Sequence, residues 1–483
     1  MFRKRSKNKK PMDIRTFINR TGISREEAAE MLRTDPALLE RFEHTYAAHK
    51  AAAGISDNLF QVSAKEMKSL MEHTGETDRD IQNRIVSELL SQTEVLSFDG
   101  KSFTVEKFAQ TEGSLPAPVT ADEVRQLPEE KRPCLTGFLA KRDMGDNASY
   151  PALLSMYKLY LKEQDERKKK NLYGCFRQGL DILDLDPVIY EMLGMNPNAI
   201  GNWFPAIATA AVEEGFFRIP KTRIAKVPIT LLQLSRLDYM SLNKATLDIV
   251  DEWARIAFSL QEGGDYFIKT GTYSSKFDFR NAHVHGEEVR DLGQYLLYIQ
   301  AQANAYAHYD LSGRDQPVIY GISTTNEWAV REFIPSESDA RIYHGMPLRP
   351  EYRIFVDMDA CRVIGRRAYW DPATMKRRFE QMDDKNEPDM LHDSLIYRME
   401  EPRLMEAYQN NIGTICSHME NLLPKARECG LTGQWSVDVM QEGDAFYLID
   451  MAVAESSAFY GCVPHCLRRP RPEQWLPDLS GLS

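Results

Sequence analysis

The chain contains no run of 18 apolar residues, so no transmembrane helix is expected and no membrane partner with it. It has no G-x-x-x-x-G-K-[ST] segment, which excludes a Walker-type phosphate loop. It has no excess of basic charge: 60 Lys and Arg against 71 Asp and Glu give a net −11, so the chain as a whole is not a nucleic-acid sponge. The opening MFRKRSKNKK is basic, but no apolar stretch follows it, so it does not read as a secretory signal. It reads as a solvated arm or as a weak contact for nucleic acid or an anionic surface. The seven cysteines are scattered and odd in number, which points to free thiols in a reducing compartment, the cytoplasm. Cys462, His465 and Cys466 are close in sequence, yet no second cysteine pair at metal spacing follows, so they read as thiols rather than as a zinc site. Internal repeats and low-complexity tracts are absent.

What is present is an ordinary globular composition, 43% apolar and 27% charged over 483 residues. At roughly 150 residues per unit this suggests about three folding units. Residues 1–110 read as a helical N-terminal region ending in a small hairpin. Ser24 and Glu27 form a capping box, and Asp35-Pro36 opens a second helix. The pair resembles a helix-turn-helix that could touch nucleic acid, or a small helical packing unit. Further helices are expected near 57–73 and 78–92, and Asp99-Gly100 marks the hairpin turn. Residues 111–149, rich in Pro, Glu and Lys, read as an extended linker. Residues 150–215 read as helical, 216–470 as alternating strands, turns and helices, and 471–483 as a tail.

Chemistry concentrates in the 216–470 region. DYFIKTGTYSSKFDF places a strand ending in Lys269 before a small-residue loop containing Ser274 and Ser275, with Lys276 after it. Free loop amides between two ammonium groups can cradle a phosphate or form an exposed turn. In EWAVREFIP, alternation puts Val330, Glu332 and Ile334 on one side and Arg331 and Phe333 on the other, and Pro335 ends the strand. A strand that stops there can offer backbone atoms to an adenine edge. EYRIFVDMDACRVIGRRAYW reads as two strands, with Tyr352, Ile354 and Val356 opposed to Arg353 and Asp357 on the first, and Arg366 and Arg367 on the second. Arginine forks suit phosphate oxygens, and a solvent face is the alternative. In GQWSVDVMQEGDAFYLIDMAVAES, pairing Gln441 with Phe446 sets Asp438 opposite Asp450 or one position off. Two carboxylates on an apolar hairpin repel unless a cation such as Mg²⁺ lies between them. Glu455 could add an oxygen or lie on the surface.

The order Lys, loop, Lys, strand end, arginine strand pair, Asp–Asp hairpin resembles the ATP-grasp superfamily over roughly residues 215–470. VREF, HGMPLRPEYRIFVD and SVDVMQEGDAFYLIDMA are most similar to a prokaryotic and phage clade named for two lysines and one arginine. The arginine strand pair also resembles the eukaryotic cell-division-cycle ATP-grasp protein that assists assembly of a translation initiation factor. The resemblance implies an α+β fold, an ATP-grasp-like region of antiparallel sheets with helices behind a mainly helical N-terminal region. It implies ATP and Mg²⁺ as cofactors. Lys269 and Lys276, with the Ser274-Ser275 loop, would hold phosphates, and Glu332, Phe333 and Ile334 would line the adenine pocket. Arg353, Arg331 and Arg366 would act on the terminal phosphate. Asp438 and Asp450 would hold magnesium, and because Asp450-Met451-Ala452-Val453 lacks the usual second acid or amide, Glu455 is the expected third ligand. The expected activity is an ATP-dependent, ADP-forming ligase joining a small-molecule, peptide or protein carboxylate to an amine or thiol through an acylphosphate. The alternative is a non-enzymatic ATP-binding assembly factor or chaperone for a protein partner.

Overall fold

The computed structural model describes residues 25–34, 36, 64, 78–108, 119–134, 159, 162–165, 168, 172, 185, 187–236, 242–309, 325–381 and 388–469. Thirteen strands lie among them. They are β1 (Glu94–Phe98), β2 (Phe103–Lys107), β3 (Phe217–Arg218), β4 (Thr222–Lys226), β5 (Asp265–Thr270), β6 (His283–His285) and β7 (Glu327–Glu332). Then follow β8 (Arg341–Ile342), β9 (Met346–Pro347), β10 (Glu351–Asp357), β11 (Arg362–Ala368), β12 (Gln434–Glu442) and β13 (Ala445–Val453). One sheet has the order β2-β1-β4-β7-β5-β6, and a second has the order β11-β10-β12-β13-β3. All pairings are antiparallel except β13 with β3 at one edge. With helices packed on both sheets, the class is α+β.

The β1–β2 hairpin turns at Asp99-Gly100 as the sequence suggests. The Asp99 carboxylate accepts from the amides of Lys101 and Ser102, each at 2.8 Å, and Gly100 takes φ +100°, a conformation glycine adopts without strain. The helix Lys244–Ala257 starts where Asn243 accepts from the Thr246 amide at 3.0 Å. Its apolar stripe packs with the helices Arg79–Ser91 and Leu292–Tyr309 against the six-stranded sheet. Trp253 and Trp328, both fully buried, meet edge to face at 5.7 Å in that core.

The second core lies under the five-stranded sheet. Tyr352, Ile354 and Val356, one face of β10, pack there with the helices Ile200–Glu214 and Pro388–Glu428. Phe98, Ile224 and Ala329 of the other sheet join the same core, so the helix Ile200–Glu214 lies where the two sheets meet. Its first turn is fixed by two bonds, Ile200 N–H to the Gly271 carbonyl at 2.9 Å and Gly201 N–H to the Glu327 carboxylate at 2.8 Å. A Cβ at Gly201 would come within 2.2 Å of that carboxylate, which is why a glycine fits there.

One expectation changes. Part of the stretch read as an extended linker is a docked element. The helix Ala121–Gln126 carries a full capping box between Thr120 and Glu123. Val119 and Val124 are buried in the first core, and Arg84 bonds Glu123 at 2.9 Å. Few large apolar residues suffice when each is used. The helix expected from Asp35 onward and the one near 57–73 fall, but for single residues, outside the described residues, as does the C-terminal tail. No helix of the described residues is long and apolar enough to cross a membrane.

Candidate functional site: a cation-rich cleft between the two sheets

Strands of the two sheets, β5 and β7 of one and β10, β12 and β13 of the other, line a shared cleft that opens to solvent. From the six-stranded sheet come Lys269, Arg331, Glu332, Phe333 and Ile334, with Ser274 and Lys276 from the loop after β5. From the other side come Arg349, Glu351, Met440, Ile449 and Asp450. Segments more than a hundred residues apart in sequence thus converge on one volume.

The β12–β13 hairpin sets the acidic pair. Gln441 pairs with Phe446, and an irregularity between Asp438 and Val439 advances the register by one, so that Asp438 stands directly opposite Asp450. Asp438 also lies opposite Arg353 on β10. Arg353 grips it with two bonds, Nε to Oδ1 and Nη2 to Oδ2, each 2.7 Å. Lys269 reaches across from the first sheet and donates to Asp450 Oδ1 at 2.9 Å. The Lys269 side chain is 3% exposed, whereas that of Asp450 keeps 37% and faces the cleft. Burial would raise the Asp450 carboxyl, but Lys269, Lys276 and Arg331 outweigh it and hold the group below its ordinary value. Arg353 is raised in the same way: burial opposes its charge, and Asp438 more than compensates.

Two cations in the cleft lack a carboxylate of their own. Arg331 Nε donates to Thr222 Oγ1 at 3.1 Å and Nη1 to the Ile449 carbonyl at 2.5 Å, while Nη2, buried, has no hydrogen-bond partner among the described residues. Burial lowers this guanidinium to about 10, which still leaves it charged at neutral pH. Lys276 Nζ sits 4.2 Å from the centre of the Tyr369 ring. Burial disfavours its charge, yet Tyr369, Glu351 and Asp438 together raise it above the ordinary lysine value. Lys269, Lys276, Arg331 and Arg353 therefore face Asp438, Asp450 and Glu351, the last only partly ionised, while Arg349 is paired with Glu442 and the Glu332 side chain is exposed. Such a surplus of desolvated positive charge is costly in the absence of an anion.

Glu351 carries its own consequence. It is half-buried, its buried Oε2 accepts no hydrogen bond among the described residues, and desolvation pushes its carboxyl up to about 7 from 4.5. The folded state then keeps a proton that the unfolded chain releases. Stability relative to Glu351→Gln is expected to fall as pH rises from about 4.5 to about 7 and to level off above, as the raised carboxyl requires. Urea unfolding of both proteins between those limits checks this, and parallel pH profiles would contradict it.

The adenine-slot expectation needs revision in detail. The amides of Glu332 and Phe333 are already spent, on the carbonyls of Lys221 at 2.9 Å and Asp265 at 3.1 Å, and the Ile334 carbonyl accepts from Arg349. The Ile334 amide has no partner among the described residues. Phe333 does line the cleft, but His283 stacks on it at 3.9 Å, so the ring is a fixed wall. The Glu332 side chain is exposed, 3.9 Å from Lys221.

Three sequence-assigned residues lie elsewhere. Ser275 is buried and bonds Gln302 at 2.8 Å, so it anchors the loop to a helix, while Ser274 alone of the two lines the cleft. Arg366 stands opposite Ile354 on β11, on the face away from Arg353, and is exposed beside Cys416 of the long helix. A one-residue step along a strand reverses the side, and Arg366 is thereby removed from the phosphate end. Glu455 is exposed in a 3₁₀ turn after β13. No group of three potential metal-ligating side chains occurs among the described residues.

Sequence reasoning passed over Arg349, Glu351 and Tyr369. Arg349 contacts Glu442 at 2.8 Å and bonds the Ile334 carbonyl at 2.5 Å. A signal for it was available. Positions 349, 351 and 353 alternate as charged residues leading into and along β10. Tyr369 carries no such signal, because it becomes visible only through the pairing of β10 with β11.

No family model and no curated protein matches the chain. Among solved structures it is similar to Cdc123 from Schizosaccharomyces pombe, at 12% identity over 55% of this chain and 85% of that one, with a TM-score of 0.29. It is likewise similar to a C-terminally truncated Cdc123 from the same organism, at 13% identity over 55% and 86%, with a TM-score of 0.29.

Proposed function

We propose that the cleft binds ATP with magnesium and that the chain acts as a non-enzymatic, ATP-dependent assembly factor for a protein partner. The observation that supports binding is the surplus of buried cations, above all the unpartnered Nη2 of Arg331. A triphosphate supplies the missing negative charge, and Phe333, Ile334 and Met440 offer an apolar slot for a flat base. Asp450, part exposed to the cleft, would hold a magnesium ion that completes its shell with phosphate oxygens and water, and Asp438 would join it only by giving up a bond from Arg353. Bound there, magnesium would neutralise phosphate charge. Lys269 and Arg353 then orient the two acids, while Lys276 and Arg331 face the phosphates.

The assembly-factor reading is favoured because both acids already have cation partners, Asp450 with Lys269 and both oxygens of Asp438 with Arg353. One observation favours the ligase reading. Glu351 is a half-buried, partly ionised carboxyl whose buried Oε2 has no hydrogen-bond partner among the described residues, able to take a proton from an amine. Calorimetric titration with Mg-ATP tests binding, and absence of heat and of thermal stabilisation would end the proposal. An ADP-release assay against pooled amino acids, peptides and protein extract separates the two readings. The assembly factor is expected to bind without co-substrate-stimulated release. Stimulated release that disappears in Glu351→Gln would establish the ligase instead.

A further inference from the structure

We infer that Tyr369 is a positioning residue that sets Lys276 at its working place over the nucleotide phosphates and braces Arg353 in its grip on Asp438, an inference that rests on the ATP-binding reading. Tyr369 lies just past β11, and its amide donates to the Glu351 carbonyl at 2.9 Å, continuing the β10–β11 pairing. That pairing puts its ring on the face of Glu351 and Arg353. The ring then meets two cations from opposite sides of the cleft: Lys276 Nζ at 4.2 Å from its centre and the Arg353 guanidinium at 4.9 Å. Lys276 belongs to the loop after β5 of the first sheet, and Arg353 to β10 of the second. Like charges so placed repel, and an aromatic face attracts both.

The ring can do this because its surroundings are rigid. Trp370 next to it is buried and touches it edge to face at 5.1 Å, and the Trp370 carbonyl accepts from the Tyr397 hydroxyl at 2.9 Å. The backbone on both sides of Tyr369 is therefore fixed. Lys276, by contrast, follows Ser275, which sits at φ +44° in a loop of small residues. Lys276 makes no ion pair shorter than 4.0 Å among the described residues, and Tyr369 holds it through both its ring and a side-chain hydrogen bond, the ammonium donating to the hydroxyl. A long side chain without such an anchor loses affinity to rotamer freedom.

The test uses the full chain with three residues at position 369: the native tyrosine, Tyr369→Phe, and pentafluorophenylalanine, which keeps the ring shape but reverses its charge distribution. Calorimetry is run with Mg-ATP and with adenosine. Phenylalanine, which keeps the ring but loses the hydroxyl bonded to Lys276, is expected to lose a few-fold for ATP, and the fluorinated ring about tenfold or more, since it loses the hydroxyl and weakens both cation contacts. Adenosine binding is expected to stay unchanged in all three. Equal ATP affinity for the phenylalanine and fluorinated proteins would overturn the inference, and so would equal losses for ATP and adenosine, which mark a mere wall of the cleft. If the wild-type chain binds no ATP, the proposed function itself has failed, and this inference with it.

Discussion

Arg353→Met is expected to destabilise the fold by about 3–5 kcal/mol, because it strands a buried carboxylate. The Asp438 side chain is 5% exposed and that of Arg353 12%. Asp438 lies on β12 between Val437 and Val439, which face the second core, and both its oxygens are bonded by Arg353. The penalty therefore comes from the surviving acid rather than from the lost attraction. The same logic predicts the cure. Arg353→Met with Asp438→Leu removes both charges and is expected to recover most of the stability, since replacing a buried pair by apolar groups of similar size is close to neutral. Urea unfolding of the four proteins of this cycle measures the coupling. A single variant within about 1 kcal/mol of wild type would mean that Asp438 is solvated and that the cleft is wetter at its base than described.

This pair also shows what the sequence could and could not reveal. The alternation of Tyr352, Ile354 and Val356 against Arg353 is legible from period 2 alone, and it survives in the structure as core face against cleft face. The hairpin register was legible to within one residue. The remaining step, Asp438 opposite Asp450, depends on a bulge that no local residue announces. Arg353 was assigned to a phosphate, whereas its bidentate partner is Asp438, because pairing of β10 with β12 bridges 85 positions. Long-range register was the missing quantity. It likewise hid Tyr369, and it moved Arg366 to the far side. The docked helix Ala121–Gln126 was hidden for a different reason. Its polar composition reads as a linker, and only its capping box and two buried valines oppose that reading.

Lys269→Met is expected to reduce ATP affinity more than any other single change in the cleft, by about 100-fold or more, as loss of one charge-assisted contact and gain of one repulsion imply. Its ammonium both neutralises Asp450 and faces the cleft. Without it, the Asp450 carboxylate, 37% exposed toward the ligand space, confronts the phosphates unshielded. Lys276→Met removes one cation and uncovers Glu351, which can answer by keeping its proton, so the expected loss is smaller, about tenfold. The difference isolates the repulsion. Lys269→Met with Asp450→Asn is therefore expected to bind ATP better than Lys269→Met alone in the absence of magnesium. With magnesium the advantage is expected to shrink, because the metal screens the acid and loses the Asp450 carboxylate in the double variant. Titrations of the three variants at low and moderate salt, with and without the metal, decide the matter. Equal losses for the two lysine variants would place the triphosphate away from Asp450, and the cation surplus would then need another anion to answer it.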